Sequence, residues 1–219
     1  MQVPAFGWNH VVFLLQGALW TLALTGVAVV GGGVVGMAIA LARSSRKRWL
    51  RGVSLVYVQV LQGTPLLILM FLGYFGFSLL GFQNVPALVA AGLAMTLFAS
   101  AYLGEIWRGC IQAVPRTQWE AAECLGLSAS QRLVKVILPQ ALRMATPPTV
   151  GFLVQILKNT SLASVVGFVE LAQAGKLVNN STFQPFIVYS LVAAIYFALC
   201  YPLSAWSRRL ERNLNVGRR

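Results

Sequence analysis

The sequence predicts an all-α polytopic membrane protein of five transmembrane helices, and three observations carry that reading. Hydrophobic residues make up 58% of the 219 positions and charged residues only 10%, with mean hydropathy +0.72, where a soluble domain carries about 25% charged residues. The apolar residues gather into long runs, most of them uncharged, that match or exceed the roughly 20 residues a helix needs to cross a bilayer. Seventeen Lys and Arg against five acidic residues give a net charge of +12, and these bases sit mostly in short segments beside the apolar runs. That is how orientation is encoded in a membrane protein, so the charge points to a lipid bilayer and no nucleic-acid partner is expected.

The first span is expected over about 11–42, long enough to tilt or to project beyond the hydrocarbon. Gly31, Gly33 and Gly36 fit the letters of a dinucleotide-binding loop but lack the strand that must precede one. Gly32, Gly36 and Ala40, four residues apart, instead predict a smooth stripe on which another helix backbone closes. Arg43, Arg46, Lys47, Arg48 and Arg51 then belong in the cytoplasm, which puts the amino terminus outside, and no cleaved leader is expected. The second span, 53–80, is interrupted by Gln59, Gln62, Gly63, Thr64 and Pro65. The proline predicts a kink, and the polar groups around it either pack that kink or line a solute route.

An outer turn, Gly81 to Val85, leads to a third span, 86–113, in which Glu105 and Arg108 are spaced to form a structural ion pair. Pro147-Pro148 is expected to open the fourth span, 147–166. Gln155, Lys158, Asn159, Thr160 and Ser161 fall near its middle. A lysine at the bilayer centre costs about 2.5–3.5 kcal/mol, so Lys158 must face protein or water and meet a partner: a solute, Glu105 or helix-end carbonyls. Residues 168–182, with Glu170 and Lys176, read as an outer loop carrying a short surface helix. The last span, 185–206, bends at Pro202 and ends at Arg208, Arg209, Arg212, Arg218 and Arg219, so the carboxyl terminus is cytoplasmic. The whole chain, 1–219, reads as one transmembrane domain, with Cys110, Cys124 and Cys200 as free thiols.

Between the third and fourth spans lies the one long polar interval, 115–139. Thr117 with Glu120, and Ser128 with Gln131, both have the spacing of a capping box. A short helix is therefore expected from Thr117 to Gly126, and a second from Ser128 that Pro139 interrupts. The chemistry is sparse: no phosphate-binding lysine loop, no metal-ligand cluster, no aspartate, and His10 alone as a histidine base. The sequence thus predicts a transport subunit rather than an enzyme. A passive channel, an ion-coupled carrier or a membrane scaffold remain as alternatives.

Glu120-Ala121-Ala122, then Gly126, then Val136-Ile137-Leu138-Pro139 resembles the EAA loop of permease subunits in ATP-binding-cassette importers. Gly63-Thr64-Pro65-Leu66-Leu67, the stretch Ala101 to Gly109, Leu138-Pro139-Gln140-Ala141 and the stretch Leu157 to Leu162 together resemble the polar amino-acid uptake permeases. The resemblance implies a multi-pass subunit of the cytoplasmic (inner) membrane that works by alternating access. It pairs with a second, identical or similar permease chain, receives an amino acid from an extracytoplasmic binding protein, and binds two cytoplasmic ATP-binding subunits. No cofactor is expected on this chain, ATP and magnesium being held by those partners. The elbow residues Thr117, Gln118, Trp119, Glu120, Ala121, Ala122, Leu125 and Gly126 would couple to the ATPase, and Gln62, Thr64, Gln155, Lys158, Asn159, Thr160 and Ser161 would line the substrate path. Many of these permeases carry an arginine where Gln62 stands and an acidic residue where Asn159 stands. With Lys158 kept, the expected ligand is an acidic or neutral polar amino acid that brings its own carboxylate.

Overall fold

The computed structural model describes residues 6–45, 47–79, 81 and 85–216. Arg46, Leu80, residues 82–84 of the expected outer turn, Arg218 and Arg219 lie outside them. Among the described residues the secondary structure is helical throughout. The helices are α1 (Trp8–Arg43), α2 (Arg48–Gly63), α3 (Leu66–Leu79), α4 (Ala87–Gln112), α5 (Arg116–Cys124), a single turn α6 (Ala129–Gln131), α7 (Leu138–Asn159), α8 (Leu171–Thr182) and α9 (Pro185–Val216). A π turn, Arg132–Ile137, joins α6 to α7, and a 3-10 segment, Thr160–Val166, follows α7. Four stretches are long and apolar enough to cross a membrane, and a fifth is the bent pair α2 and α3. The exterior carries apolar side chains where a soluble protein would carry charge: Leu19, Val30, Val34, Val56, Val60, Leu72 and Phe197 are all exposed.

The pair α1 and α4 forms the most extensive helix contact. Its cause is the small-residue stripe. A Cβ on Gly32 would stand 2.6 Å from Ala99 Cβ, and one on Gly36 would stand 3.0 Å from the Ser100 carbonyl oxygen. From the other side, a Cβ on Gly104 would meet the Gly36 carbonyl oxygen at 3.0 Å. In lipid no hydrophobic effect drives helices together, so this backbone-to-backbone packing supplies the attraction. The main core follows from it. Leu24 and Ala28 of α1, Met70 of α3, Met95 and Phe98 of α4, Phe152 and Ile156 of α7, and Ala163 of the 3-10 segment are buried together. Phe98, Tyr102 and Phe152 stack there with ring centroids 4.5–6.3 Å apart. A second core joins Leu14 and Ala18 of α1 to Leu171, Ala174 and Val178 of α8 and to Val188 and Val192 of α9.

Prolines depart most from expectation. At Pro65 the chain does not kink within one helix but turns by 101° between α2 and α3, a broken or re-entrant span. Pro147 and Pro148 do not open a helix: they lie inside α7, which begins at Leu138 and carries Pro139 in its first turn. Pro139 interrupts nothing either. Before it the helix widens into the π turn, where the Leu138 N–H reaches back to the Leu133 carbonyl, and a widened turn relieves the clash a proline ring makes with the carbonyl four residues back. Beside Pro147, α9 adds a hydrogen bond of its own. The Ser207 hydroxyl donates to the Pro147 carbonyl at 2.9 Å.

The α1–α4 contact predicts its own test. Gly32→Leu drives a side chain into Ala99 and should lower thermal stability in detergent by about 1–3 kcal/mol, whereas Gly26→Leu, with open space around it, should unfold as the wild type does. Equal melting of the two variants would refute the packing argument.

Candidate functional site

The elbow is held by a small core of its own. Ile111 and Val114 at the end of α4 and Ile137 and Ala141 around the start of α7 are buried, and Trp119 of α5 packs against them. Ala122 is 2% exposed. These two residues of the expected coupling set therefore face the chain's own interior, while Thr117, Gln118, Glu120, Ala121, Leu125 and Gly126 stay on the surface. Leu125, 78% exposed, is the apolar side chain offered outward. The first capping box does not form: α5 starts one residue earlier, after Pro115, and no side chain caps it, because the proline already presets the first turn. The second does form. Ser128 accepts from the Gln131 N–H at 3.4 Å, and the Gln131 side chain accepts from the Ser128 N–H at 2.9 Å. Gly126 ends α5 with φ +72°, its N–H on the Glu123 carbonyl and the Leu127 N–H on that of Ala122, the bonding of a Schellman cap. Arg132 adds an ion pair to Glu123 at 2.7 Å.

At the α1 and α4 ends near the elbow, Arg108 Nε donates to Glu105 Oε1 at 2.9 Å, and Arg108 also bonds Gln112. Arg43 joins from α1, 3.3 Å from Glu105 Oε2. The sequence pointed to Glu105 and Arg108 but not to Arg43, whose proximity comes only from the α1–α4 packing.

The polar band maps onto two breaks in the helical backbone. Gln62 and Thr64 sit at the α2–α3 turn, Gln62 Nε2 donating to the Ala101 carbonyl at 3.4 Å and the Thr64 hydroxyl to that of Val60 at 2.7 Å. Lys158, Asn159, Thr160 and Ser161 straddle the point where α7 tightens into the 3-10 segment, so they lie at the end of a helix and not at its middle. The two breaks belong to neighbouring elements, since α3 packs on the 3-10 segment, but among the described residues no hydrogen bond joins the two sets. Gln155 and Lys158 are exposed, Asn159 and Ser161 half-buried and Thr160 buried. Neither expected protein partner reaches Lys158. Glu105 is engaged by Arg43 and Arg108, and among the described residues Lys158 makes no salt bridge.

Glu170 corrects the outer-loop expectation most sharply. It is fully buried and caps α8, accepting from the Ala172 and Gln173 N–H groups at 2.9 Å each. The Tyr196 hydroxyl of α9 donates to it at 2.7 Å, and the Thr21 hydroxyl of α1 approaches at 3.5 Å while accepting from the Leu171 N–H. The knot thus joins α1, α8 and α9, and both α1 and α8 pack on the 3-10 segment that carries the end of the polar band. The α8 helix is accordingly no surface helix: Leu171, Ala174, Val178 and Thr182 form a buried stripe at helical spacing. That stripe was legible in the sequence. The role of Glu170 was not, because a charge in an apolar chain reads first as a solvated one.

The sequence pattern of the family described as binding-protein-dependent transport system inner membrane component matches residues 32–216. The probable amino-acid ABC transporter permease protein YckA of Bacillus subtilis is 36% identical over 91% of this chain and 88% of its own length. The L-cystine transport system permease protein TcyB of the same organism is 36% identical over 92% of this chain and 86% of its own. Among solved structures, a crystal structure of an amino acid ABC transporter with histidines superposes with TM-score 0.88 at 34% identity, covering 94% of this chain and 95% of that one. An inward-facing methionine transporter, MetNI, shares the fold with TM-score 0.80 at 22% identity, over 95% of this chain and 99% of that one.

Glu170→Ala should leave a buried hydroxyl and two N–H groups without their acceptor, at about 1–3 kcal/mol per stranded group. Glu170→Gln, which keeps one acceptor oxygen, should melt between that variant and the wild type. An alanine variant as stable as the wild type would show that the knot contributes nothing.

Proposed function

This chain belongs to the inner-membrane components of binding-protein-dependent transport systems, and we propose that it is the permease of an ATP-driven importer for a polar amino acid. The amino-acid assignment is supported by the relatives, which include cystine, glutamine and general amino-acid permeases. In this reading two cytoplasmic ATP-binding subunits carry the ATP and magnesium, an extracytoplasmic binding protein delivers the amino acid, and a second permease chain completes the path. The elbow faces the cytoplasm, as do Arg116, Arg132, Lys135 and Arg143 around it.

The observation that carries the mechanism is the continuity of α7. Its first turns, with Ile137 just before them and Ala141 within them, are buried in the core that also holds α5, and its far end is Lys158-Asn159. Twenty-two residues of helix make a rod about 33 Å long. A push on the outer face of α5 therefore moves the polar band without passing through a flexible joint. Closure of the ATPase pair on ATP draws two such elbows together and turns the permease outward, a rigid-body form of alternating access. Lys158, with no acidic partner among the described residues, receives the carboxylate of the amino acid, and the absence of an acidic residue at Asn159 favours neutral polar or acidic substrates.

Two measurements test this in proteoliposomes holding the full transporter. Lys158→Ala should weaken uptake about ten- to hundredfold, the worth of one charge-assisted hydrogen bond, while ATP hydrolysis persists. Leu125→Glu, at an exposed position, should uncouple hydrolysis from the binding protein without unfolding the chain. Unchanged uptake in both variants, or a preference for arginine that ignores Lys158→Ala, would sink the assignment.

A further inference from the structure

A cavity of about 770 Å³ opens at the elbow end of α7, its lining reaching Gly151, one turn short of Gln155. One stripe of α7, running from Gln140 through Arg143 to Gly151, forms one wall, and a stripe of α9, Ser207, Glu211 and Leu214, forms the other. Ala113 and Pro115, the residues that lead into α5, line it as well. The two helices are pinned at one end by the Ser207 hydroxyl on the Pro147 carbonyl, and they leave a wedge of space beyond that bond.

The chemistry of the wedge is that of an amino-acid zwitterion. Arg143 on one wall supplies a guanidinium and Glu211 on the other a carboxylate. Among the described residues neither is held in a salt bridge. Pro147 and Pro148 have no N–H, so the carbonyls of Arg143 and Met144 lose their ordinary donors four residues on and are left as acceptors along the same stretch. A guanidinium binds a carboxylate in a bidentate fork, and a carboxylate with carbonyls binds an ammonium. The volume lies within the range of small-molecule sites.

We propose that this cavity binds a free α-amino acid on the cytoplasmic side and thereby slows import when the product accumulates. The inference rests on the reading of the chain as an amino-acid permease. The α-carboxylate lies on Arg143 and the α-ammonium on Glu211, bridging α7 and α9 beside the entry to the elbow. A ligand that fits the wedge stabilises the conformation containing it, so the movement of α7 that transport requires is populated less.

The test uses the complete transporter in proteoliposomes with ATP inside and the binding protein outside. L-glutamine, L-cystine, L-glutamate and L-arginine are tried first as external substrates of vesicles empty of amino acid. No ATP-driven uptake of any of them refutes the permease reading itself, separately from the present inference. The substrate that is taken up is then also loaded inside at millimolar concentration. Initial uptake should fall several-fold in the wild type, and Arg143→Gln and Glu211→Gln, both at exposed positions, should raise the half-inhibitory internal concentration about tenfold, the loss of one charge-assisted contact. Uptake into empty vesicles should be the same in all three proteins. The proposal is overturned if internal amino acid leaves the wild type unaffected, if the variants are inhibited equally, or if they are already slow into empty vesicles, which would make the cavity part of the transport path.

Discussion

Close approach of the α1 and α4 backbones is the constraint on which the rest of the structure depends. Gly32, Gly36 and Gly104 leave no room for a Cβ, and in a solvent as apolar as leucine only such contact gives two helices a reason to associate. Once they meet, Arg43 is carried to Glu105, Ser100 is presented to the Tyr57 hydroxyl of α2 at 2.7 Å, and Phe98 and Tyr102 are aimed at Phe152 of α7. Each of these contacts spans elements far apart in the chain. The first joins α1 to α4 directly, and the others carry α4 onto α2 and α7.

Against that pair, α7 is the element that joins the elbow core to the polar band. It carries three prolines, yet it runs unbroken from the elbow core to the polar band: a wider turn precedes Pro139, and beside Pro147 the Ser207 hydroxyl of α9 bonds the Pro147 carbonyl. Its two ends differ in chemistry. The elbow end packs on apolar side chains of α4 and α5, whereas the far end, carrying Lys158 and Asn159, tightens into a 3-10 segment that begins with the hydroxyls of Thr160 and Ser161. That far end packs against α1, α3, α4 and α8, and the Glu170 knot joins α1, α8 and α9 beside it.

Much of the architecture was legible in the residues. Gly32, Gly36 and Ala40 announced a packing face, Ser128 with Gln131 announced a helix start, and Gly126 announced a helix end, because each of these is a local steric or hydrogen-bonding rule. The prolines misled for the opposite reason. Their local rule is to end helices, and whether a helix survives them depends on neighbours that the local sequence does not name. Ala122 and Trp119 were similarly ambiguous. A small residue and a large one on a water-side helix suit a partner's cleft as well as the chain's own core, and only the placement of Ile111 and Ile137 beside them decided for the core.

What the sequence by itself determined, then, was membership of the bilayer, the helical class, the elbow and the residues that carry its polar chemistry, since apolar run length, charge placement and caps act within a few residues of themselves. Only the tertiary structure decided that Glu170 is buried, that α2 and α3 meet at 101°, that Lys158 makes no salt bridge among the described residues and that α7 and α9 part to leave a charged cavity. Those outcomes turn on which helix lies beside which. That choice is made by packing across tens of residues, where one side chain's partner is set by another's volume.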